Sequence, residues 1–345
     1  MRVRVIAFSK RGCVLAQEVR RALPGHECAL YSKTSAGSPG TERVEGALSE
    51  WTRESFASSD AMVFIGAAGI AVREAAPFLR NKAVDPAVIC MDEGGRFVVP
   101  LLSGHIGGAN ALAVEIAAGV GATPVVTTAT DVLGRFSVDA FAARNGLHIG
   151  SMAAAKEVSA RIVDGGRVGL ASDVPLAGVP PELDICAGGD IGIYISHGRS
   201  QGPFERTLKL TPRRHVLGIG CRRGTPCGRI EALVACVLER EDISPLSVRA
   251  VASIDLKRGE EGLLEFARAA GAATAFFSAE ELASLPDIGF TPSERVKAVT
   301  GVDNVCERAA VAASAGGELV VRKTAADGVT VAVAREPVRL DLTEG

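Results

Sequence analysis

From Asp60 onward, short uninterrupted apolar runs alternate with helix-patterned stretches, and the runs end in glycines or acids. AMVFIGAAG (61–69), PAVICMDE (86–93) and HVLGIG (215–220) are too short for buried helices. They are also too continuous for strands with one wet face. Strands of that kind sit in parallel sheets covered on both sides by the helices between them. At 47% hydrophobic but only 4% aromatic, the chain would fill such cores with Ala, Val, Leu and Ile.

The alternation can be followed in both directions. Arg2–Phe8 reads as a strand, a helix follows to about Leu23, and Glu27–Tyr31 returns as a strand. After AMVFIGAAG, the stretch IAVREAAPFLR is helical until Pro77 ends or kinks it. EGGRFVVPLL is a glycine turn with a further strand. SGHIGGANALAVEIAAG opens a helix with Ser103 as N-cap and Gly119 as its close. TPVVTTATD reads as a strand, and SVDAFAARNGL as a short helix capped by Ser137. Residues 150–210 are rich in Pro and Gly, with one helix at Ala153–Ile162 and short strands. Strand–helix alternation resumes after Pro212 and runs to two closing strands, ELVVRK and VTVAVAR.

The expected fold class is therefore α/β: two α/β/α three-layer units with mainly parallel sheets, joined by a less regular middle module. The boundaries read as an N-terminal β-α-β segment (1–58), a central α/β unit (59–149), a middle module or linker (150–212) and a C-terminal α/β domain (213–345).

A formal net charge of −2 provides no global basic field for nucleic acid. The eight cysteines form no C-x-x-C pair, and no histidine stands at zinc spacing. Neither a signal core nor an apolar run of membrane length is present, so a soluble, cytoplasmic protein is expected.

In open α/β sheets, ligands bind beyond the carboxyl ends of the strands. Gly66–Gly69, Asp92–Glu93, Thr127–Asp131 and Gly218–Gly224 are turns of that kind, and the first three, with LLSGHIGGAN (101–110), are expected to converge on one sheet edge. With Ser103 as cap, the free N–H groups of a first helical turn fall around His105–Gly108. That position disfavours a protonated His105, leaving a neutral imidazole able to act as base. The other reading of the segment is a capped helix whose glycines only allow close packing. Asp92–Glu93 is either an acid–base pair or a polar turn. Arg73, Arg80 and Lys82 are either a cationic group or a solvated helix face. Thr127, Thr128, Thr130 and Asp131 offer hydroxyls and a carboxylate, or simply cap the next turn. GIGCRRG (218–224) spaces its glycines G-x-G-x-x-x-G, out of register for a dinucleotide fingerprint, while Arg222–Arg223 suit carboxylates.

Taken in order and at these distances, GIAVREAAPFLRNKAVDPAVICMDEGG, VPLLSGHIGGANALA and PVVTTATD resemble the cobalt-precorrin-5A hydrolases of anaerobic cobalamin biosynthesis. GIGCRRGT, ASIDLKRGEEGL and FFSAEEL followed by PSERV look like that family's C-terminal domain, which in turn resembles a small stand-alone protein of the aerobic route. The resemblance is dense over 60–145 and 213–335 and thin elsewhere. It implies a hydrolase that opens the δ-lactone of a ring-contracted cobalt corrinoid and releases acetaldehyde, acting on a carbon–carbon bond to leave cobalt-precorrin-5B.

Residue roles follow as expectations. His105, Glu93 and Ser103 are the catalytic candidates, with backbone N–H groups of Gly107 and Gly108 facing an oxyanion. Arg73, Lys82, Asn110, Thr127, Thr128, Asp131, Arg222 and Arg223 would bind substrate. No cofactor or metal ligand is expected, because cobalt is carried by the substrate. The partners are that small molecule and neighbouring enzymes of the pathway, not nucleic acid or membrane. The rival readings are a non-catalytic corrinoid carrier and a nucleotide-dependent enzyme, against which the off-register glycines argue.

Overall fold

The computed structural model describes residues 1–34, 39–81 and 84–343. The chain divides into two compact units, Met1–Arg144 with Ile162–Gly165, and Asn145–Arg161 with Gly166–Gly345.

The first unit is built on seven strands: β1 (Arg2–Ala7), β2 (Glu27–Ser32), β3 (Glu42–Arg43), β4 (Ala61–Ile65), β5 (Ala87–Met91), β6 (Phe97–Leu102) and β7 (Thr123–Pro124). They lie in the order β3-β2-β1-β4-β5-β6-β7, so β1 sits between β2 and β4 and one sheet takes in both residues 1–58 and the stretch after them. Every residue of β4 and β5 is buried, as strands covered on both faces require. Alternate side chains serve opposite layers. Ala61, Val63 and Ile65 pack with Leu15, Ala16 and Val19 of α1 (Lys10–Ala22) and with Leu112, Ala113 and Ile116 of α4 (Ala109–Val120). Met62 and Phe64 pack with Trp51 of α2 (Leu48–Ser58) and Ala71 and Ala75 of α3 (Ala68–Ala75). Burying a Met or Phe side chain fully contributes about 2–3 kcal/mol, so this second layer anchors the sheet as firmly as the first. Pro77 follows α3 in a 3-10 turn (Ala76–Phe78), ending the helix as its missing N–H dictates.

Three expectations are corrected here. The helix read from Ser103 begins only at Ala109, with Gly108 as its N-cap at φ +80. Two consecutive glycines oppose helix propagation, and Ser103 itself adopts φ +57. Gly119 does not close α4; Gly121 does, in the left-handed conformation. At Gly119 a Cβ would stand 2.3 Å from Ala22 Cβ, so its role is the close approach of α1 and α4. Finally, TPVVTTATD pairs only at Thr123–Pro124, next to β6, and then turns into α5 (Ala129–Val132), ahead of α6 (Val138–Arg144). Thr123 and Val125 donate to Arg96 O and Val98 O, both at 2.8 Å, and Pro124 between them sits on the edge strand, where its missing N–H costs no ladder bond.

The direction of β6 matters most. It runs antiparallel to β5, pairing Val88 with Leu102 and Met91 with Val98, whereas β1, β2, β4 and β5 are parallel. Leu102 therefore lies at the edge where β5 begins. Gly66–Gly69 and Asp92–Glu93 lie at the opposite edge, the length of a six-residue strand away, about 17 Å. The expected convergence of all these turns on one edge does not occur.

In the second unit, β8 (Leu147–Ile149), α7 (Met152–Val163), β9 (Val168–Ser172), β10 (Leu176–Ala177), β11 (Leu183–Ile185), β12 (Gly189–Ile195) and β13 (Phe204–Pro212) follow in sequence. Five of these strands form a sheet in the order β11-β9-β12-β13-β8, parallel except for β8. The middle stretch is thus more regular than its Pro- and Gly-rich sequence suggests.

The C-terminal stretch comprises β14 (His215–Cys221), α8 (Cys227–Arg240), β15 (Val248–Ile254), α9 (Glu261–Ala269), β16 (Ala273–Phe277), α10 (Ala279–Ala283), α11 (Glu294–Thr300), α12 (Cys306–Ala313), β17 (Glu318–Ala326), β18 (Val329–Arg335) and β19 (Leu340–Asp341). Its sheet order is β16-β15-β14-β18-β17, with the first three parallel. α8 and α9 cover one face; α10 and α12 cover the other. The protein is α/β throughout, with mainly parallel sheets.

Candidate functional site

The reversal of β6 delivers the 103–110 segment to the edge where β5 starts, and there it forms a closed loop rather than a helical turn. Ser103 donates its hydroxyl to the Asp85 carbonyl at 3.0 Å instead of capping α4. The loop is tied by Gly108 N–H to His105 O, Ala109 N–H to Ser103 O and Asn110 N–H to Gly104 O, at 3.0, 3.1 and 2.9 Å. A Cβ at Gly107 would lie 2.4 Å from Ser103 Cβ, and one at Gly104 2.7 Å from Asn110 Oδ1. These glycines are therefore required by the loop's own packing. Gly108 has also spent its N–H on His105, which removes it as an oxyanion donor.

What the loop presents is His105, its side chain 16% exposed. Nε2 lies 2.6 Å from Asp131 Oδ2 in α5, with Thr130 Oγ1 at 3.4 Å. Nδ1 lies 3.3 Å from Ser137 Oγ, just before α6. The same Asp131 oxygen accepts from the Thr128 hydroxyl at 2.5 Å and from Asn110 Nδ2 at 3.3 Å. Asn110, 7% exposed in the first turn of α4, also donates to Thr128 Oγ1 at 2.8 Å. Burial alone would raise the Asp131 pKa. The Thr128 hydroxyl, His105 and Asn110 together outweigh it and hold the carboxyl below its ordinary value. An ionised carboxylate only accepts, so Nε2 carries hydrogen and Nδ1 of a neutral ring is the basic nitrogen.

Of the residues singled out in the sequence, His105, Asn110, Thr128 and Asp131 meet in one hydrogen-bonded cluster, and Ser103 anchors the loop that carries His105. Thr127 is exposed on the approach to α5. Asp92 is a turn-former, accepting from the Arg96 and Phe97 N–H groups at 2.9 and 2.7 Å. Glu93 belongs to that turn, at the edge opposite His105, so the two do not act on one water. Arg73 is exposed on α3. Lys82 lies outside the described residues. Thr130, offered in the sequence as a hydroxyl or a cap, stands beside the imidazole, and so does Ser137, which reads in the sequence only as a helix cap.

Arg222 and Arg223 belong to the second unit, exposed on the loop between β14 and α8. A cavity of about 540 Å³ there is lined by Arg223, Thr225 and Cys227 together with Glu260, Glu261 and Glu265. Its carboxylates temper the arginine's attraction for anions, so this is a mixed-charge cleft rather than a simple carboxylate clamp. Glu260 accepts from Lys257 Nζ at 3.0 Å and from the Gly224 N–H.

A carboxylate, an imidazole and hydroxyls in hydrogen-bonded series at the edge of an α/β sheet are the equipment of acid–base chemistry on a bound small molecule. Comparison with known proteins narrows this class. Residues 50–131 match the family model described as cobalamin synthesis G N-terminal, 136–212 the cobalamin biosynthesis central region, and 215–334 the cobalamin synthesis G C-terminus. The chain is 34% identical to the cobalt-precorrin-5A hydrolase of Salmonella typhimurium, over 95% of its own length and 96% of the relative's. It is 31% identical to that of Priestia megaterium, over 96% and 94%. This chain belongs to the cobalt-precorrin-5A hydrolase family. It also shares 36% identity with protein CobE of Sinorhizobium sp. over 34% of this chain and 78% of that one. Among the described residues no helix is long and apolar enough to cross a membrane.

Proposed function

We propose that this chain is a cobalt-precorrin-5A hydrolase. It opens the δ-lactone of the ring-contracted cobalt corrinoid with water and releases acetaldehyde, giving cobalt-precorrin-5B. The observation that carries the reading is the pairing of His105 Nε2 with Asp131 Oδ2 at 2.6 Å, in the part of the chain where the family motifs are densest.

Lactone opening needs a base to activate the attacking oxygen and an acid to protonate the leaving one. With Nε2–H held by Asp131, the Nδ1 lone pair of His105 takes the first proton and returns it to the departing oxygen. Asp131 fixes the tautomer and offsets the positive charge that forms on the ring, while Thr128 and Asn110 hold the carboxylate in place. The freed oxygen on the two-carbon bridge then collapses to a carbonyl. That breaks the adjacent carbon–carbon bond, and its electron pair and a proton pass to the macrocycle. Cobalt takes part as a component of the substrate, and no separate cofactor is called for.

The exposed guanidinium groups of Arg73, Arg222 and Arg223 are offered as partners for the substrate's peripheral carboxylates. The reading places the enzyme in the cytoplasm among neighbouring enzymes of the pathway; the eight cysteines, all free thiols, fit a reducing compartment. Incubation with cobalt-precorrin-5A and a coupled assay for acetaldehyde tests the activity. Tight corrinoid binding without acetaldehyde would turn the protein into a carrier.

A further inference from the structure

The basic nitrogen of His105 does not face open space. Nδ1 points at Ser137 Oγ, 3.3 Å away. Ser137 Oγ also accepts from the Ala140 N–H at 3.4 Å, as the N-cap of α6. That bond uses a lone pair and leaves the hydroxyl proton for Nδ1. The position is firmly held. Phe136 and Val138 on either side are 8% and 0% exposed, and the Phe136 ring packs on Phe141 at 5.6 Å across the first helical turn. Asp131, His105 and Ser137 thus form a carboxylate–imidazole–hydroxyl series, with the carboxylate on one ring nitrogen and the hydroxyl on the other. A hydroxyl beside a base that a third group orients is the arrangement of an activated nucleophile.

We propose that Ser137 Oγ, rather than water, makes the first attack on the lactone carbonyl. This rests on the hydrolase reading above. The Ser137 proton passes to His105 Nδ1 as the Oγ–C bond forms. The lactone C–O bond breaks, and its oxygen takes that proton. The ring-opened substrate is then an ester of Ser137, with the whole substrate still attached. Water gives a proton to Nδ1 and attacks the same carbon; the C–Oγ bond breaks, and Ser137 recovers its proton. The sum is lactone plus water to hydroxy acid, with no other reactant.

The test separates nucleophile from helix cap. Asparagine caps helices about as well as serine but has no hydroxyl, so Ser137→Asn keeps α6 and removes the attack. The full-length protein is treated with a fluorophosphonate and mapped by peptide mass spectrometry. Alongside, acetaldehyde release is measured for wild type, Ser137→Asn and His105→Asn. Ser137 is expected to be labelled in wild type, and at least about 100-fold more slowly in His105→Asn. Ser137→Asn should lose about 10³-fold or more in turnover with an unchanged melting temperature. A Ser137→Asn variant that releases acetaldehyde at the wild-type rate overturns the proposal and leaves the hydrolase standing. If wild type releases no acetaldehyde yet labels at Ser137, the nucleophile stands and the substrate assignment falls.

Discussion

Acid should destabilise the second unit through one buried histidine, by an amount that can be worked out. His215 opens β14 and is 2% exposed. Its Nδ1 lies 2.8 Å from Ser247 Oγ, whose own proton goes to the Ser244 carbonyl. Nδ1 therefore carries the ring hydrogen, and a second proton would have to enter at a buried Nε2. The His197 ring stands edge-on at 5.0 Å. Burial first, then the positive charge of His197 and Arg335, presses the His215 pKa from 6.5 down to about 3. Below pH 6.5 the unfolded chain takes up a proton that the folded chain refuses, so stability falls as the pH falls through this window and levels off near pH 3. Each pH unit in the window costs about 1.4 kcal/mol, so roughly 2 kcal/mol is gone at pH 5. His197, also lowered, by burial first, acts in the same direction.

The check is urea unfolding between pH 7.5 and 5, read by hydrogen exchange in peptides of β14 and β15, for wild type and His215→Asn. The variant keeps an amide donor near the Nδ1 position and does not titrate. Wild type should lose about 2 kcal/mol more than the variant across that range. Parallel pH slopes for the two proteins would refute the reasoning.

Three further substitutions have definite expected outcomes. Asp131→Asn should let His105 Nε2 accept instead of donate, moving the ring hydrogen to Nδ1; turnover should fall about 10³–10⁴-fold in steady-state acetaldehyde assays, with corrinoid affinity little changed. Because the folded Asp131 pKa is depressed, its contribution to stability is present above the unfolded carboxylate pKa and fades as pH falls through the folded one, so acid titration of the variant should show a shallower loss at the low end. Gly107→Ala forces a Cβ to within 2.4 Å of Ser103 Cβ and 2.9 Å of its carbonyl oxygen, so thermal melts should register about 1–3 kcal/mol of destabilisation and activity should fall with the loop's shape. Glu93→Gln should turn over like wild type, since Glu93 sits at the other edge of the sheet; a hundredfold loss would return it to the chemistry.

The layered fold was legible because β4 and β5 are buried on both faces, and two-sided burial writes itself as an unbroken apolar run. The middle stretch was harder to read. β9 reads VGLAS and carries Gly169, where a Cβ would lie 2.4 Å from the Phe204 ring; a glycine needed for close strand packing looks the same as a turn glycine in one dimension. The site was visible in part for a similar reason. His105 stood out against glycines, but the glycines serve the loop, and Ser137 reads as a helix cap because it is one. Nothing local to FSVDAF signals that the capping hydroxyl faces an imidazole from a segment 32 residues earlier.

The one consequential misreading, the gathering of every turn on a single edge, had its correction in the sequence. Only five residues separate Met91 at the end of β5 from Phe97 at the start of β6. A parallel return to a neighbouring strand needs a crossover of a dozen residues or more, whereas an antiparallel return needs only a turn. Asp92 builds that turn through three backbone N–H groups, those of Gly94, Arg96 and Phe97. The short connection therefore forces β6 to reverse, and the reversal carries His105 away from Glu93. The crossover through α4 then sends β7 parallel to β6, and the chain beyond it reaches the edge that holds His105. That second step brings Thr128 and Asp131 to the imidazole. Loop length, more than any motif, decides which of the candidate residues can work together.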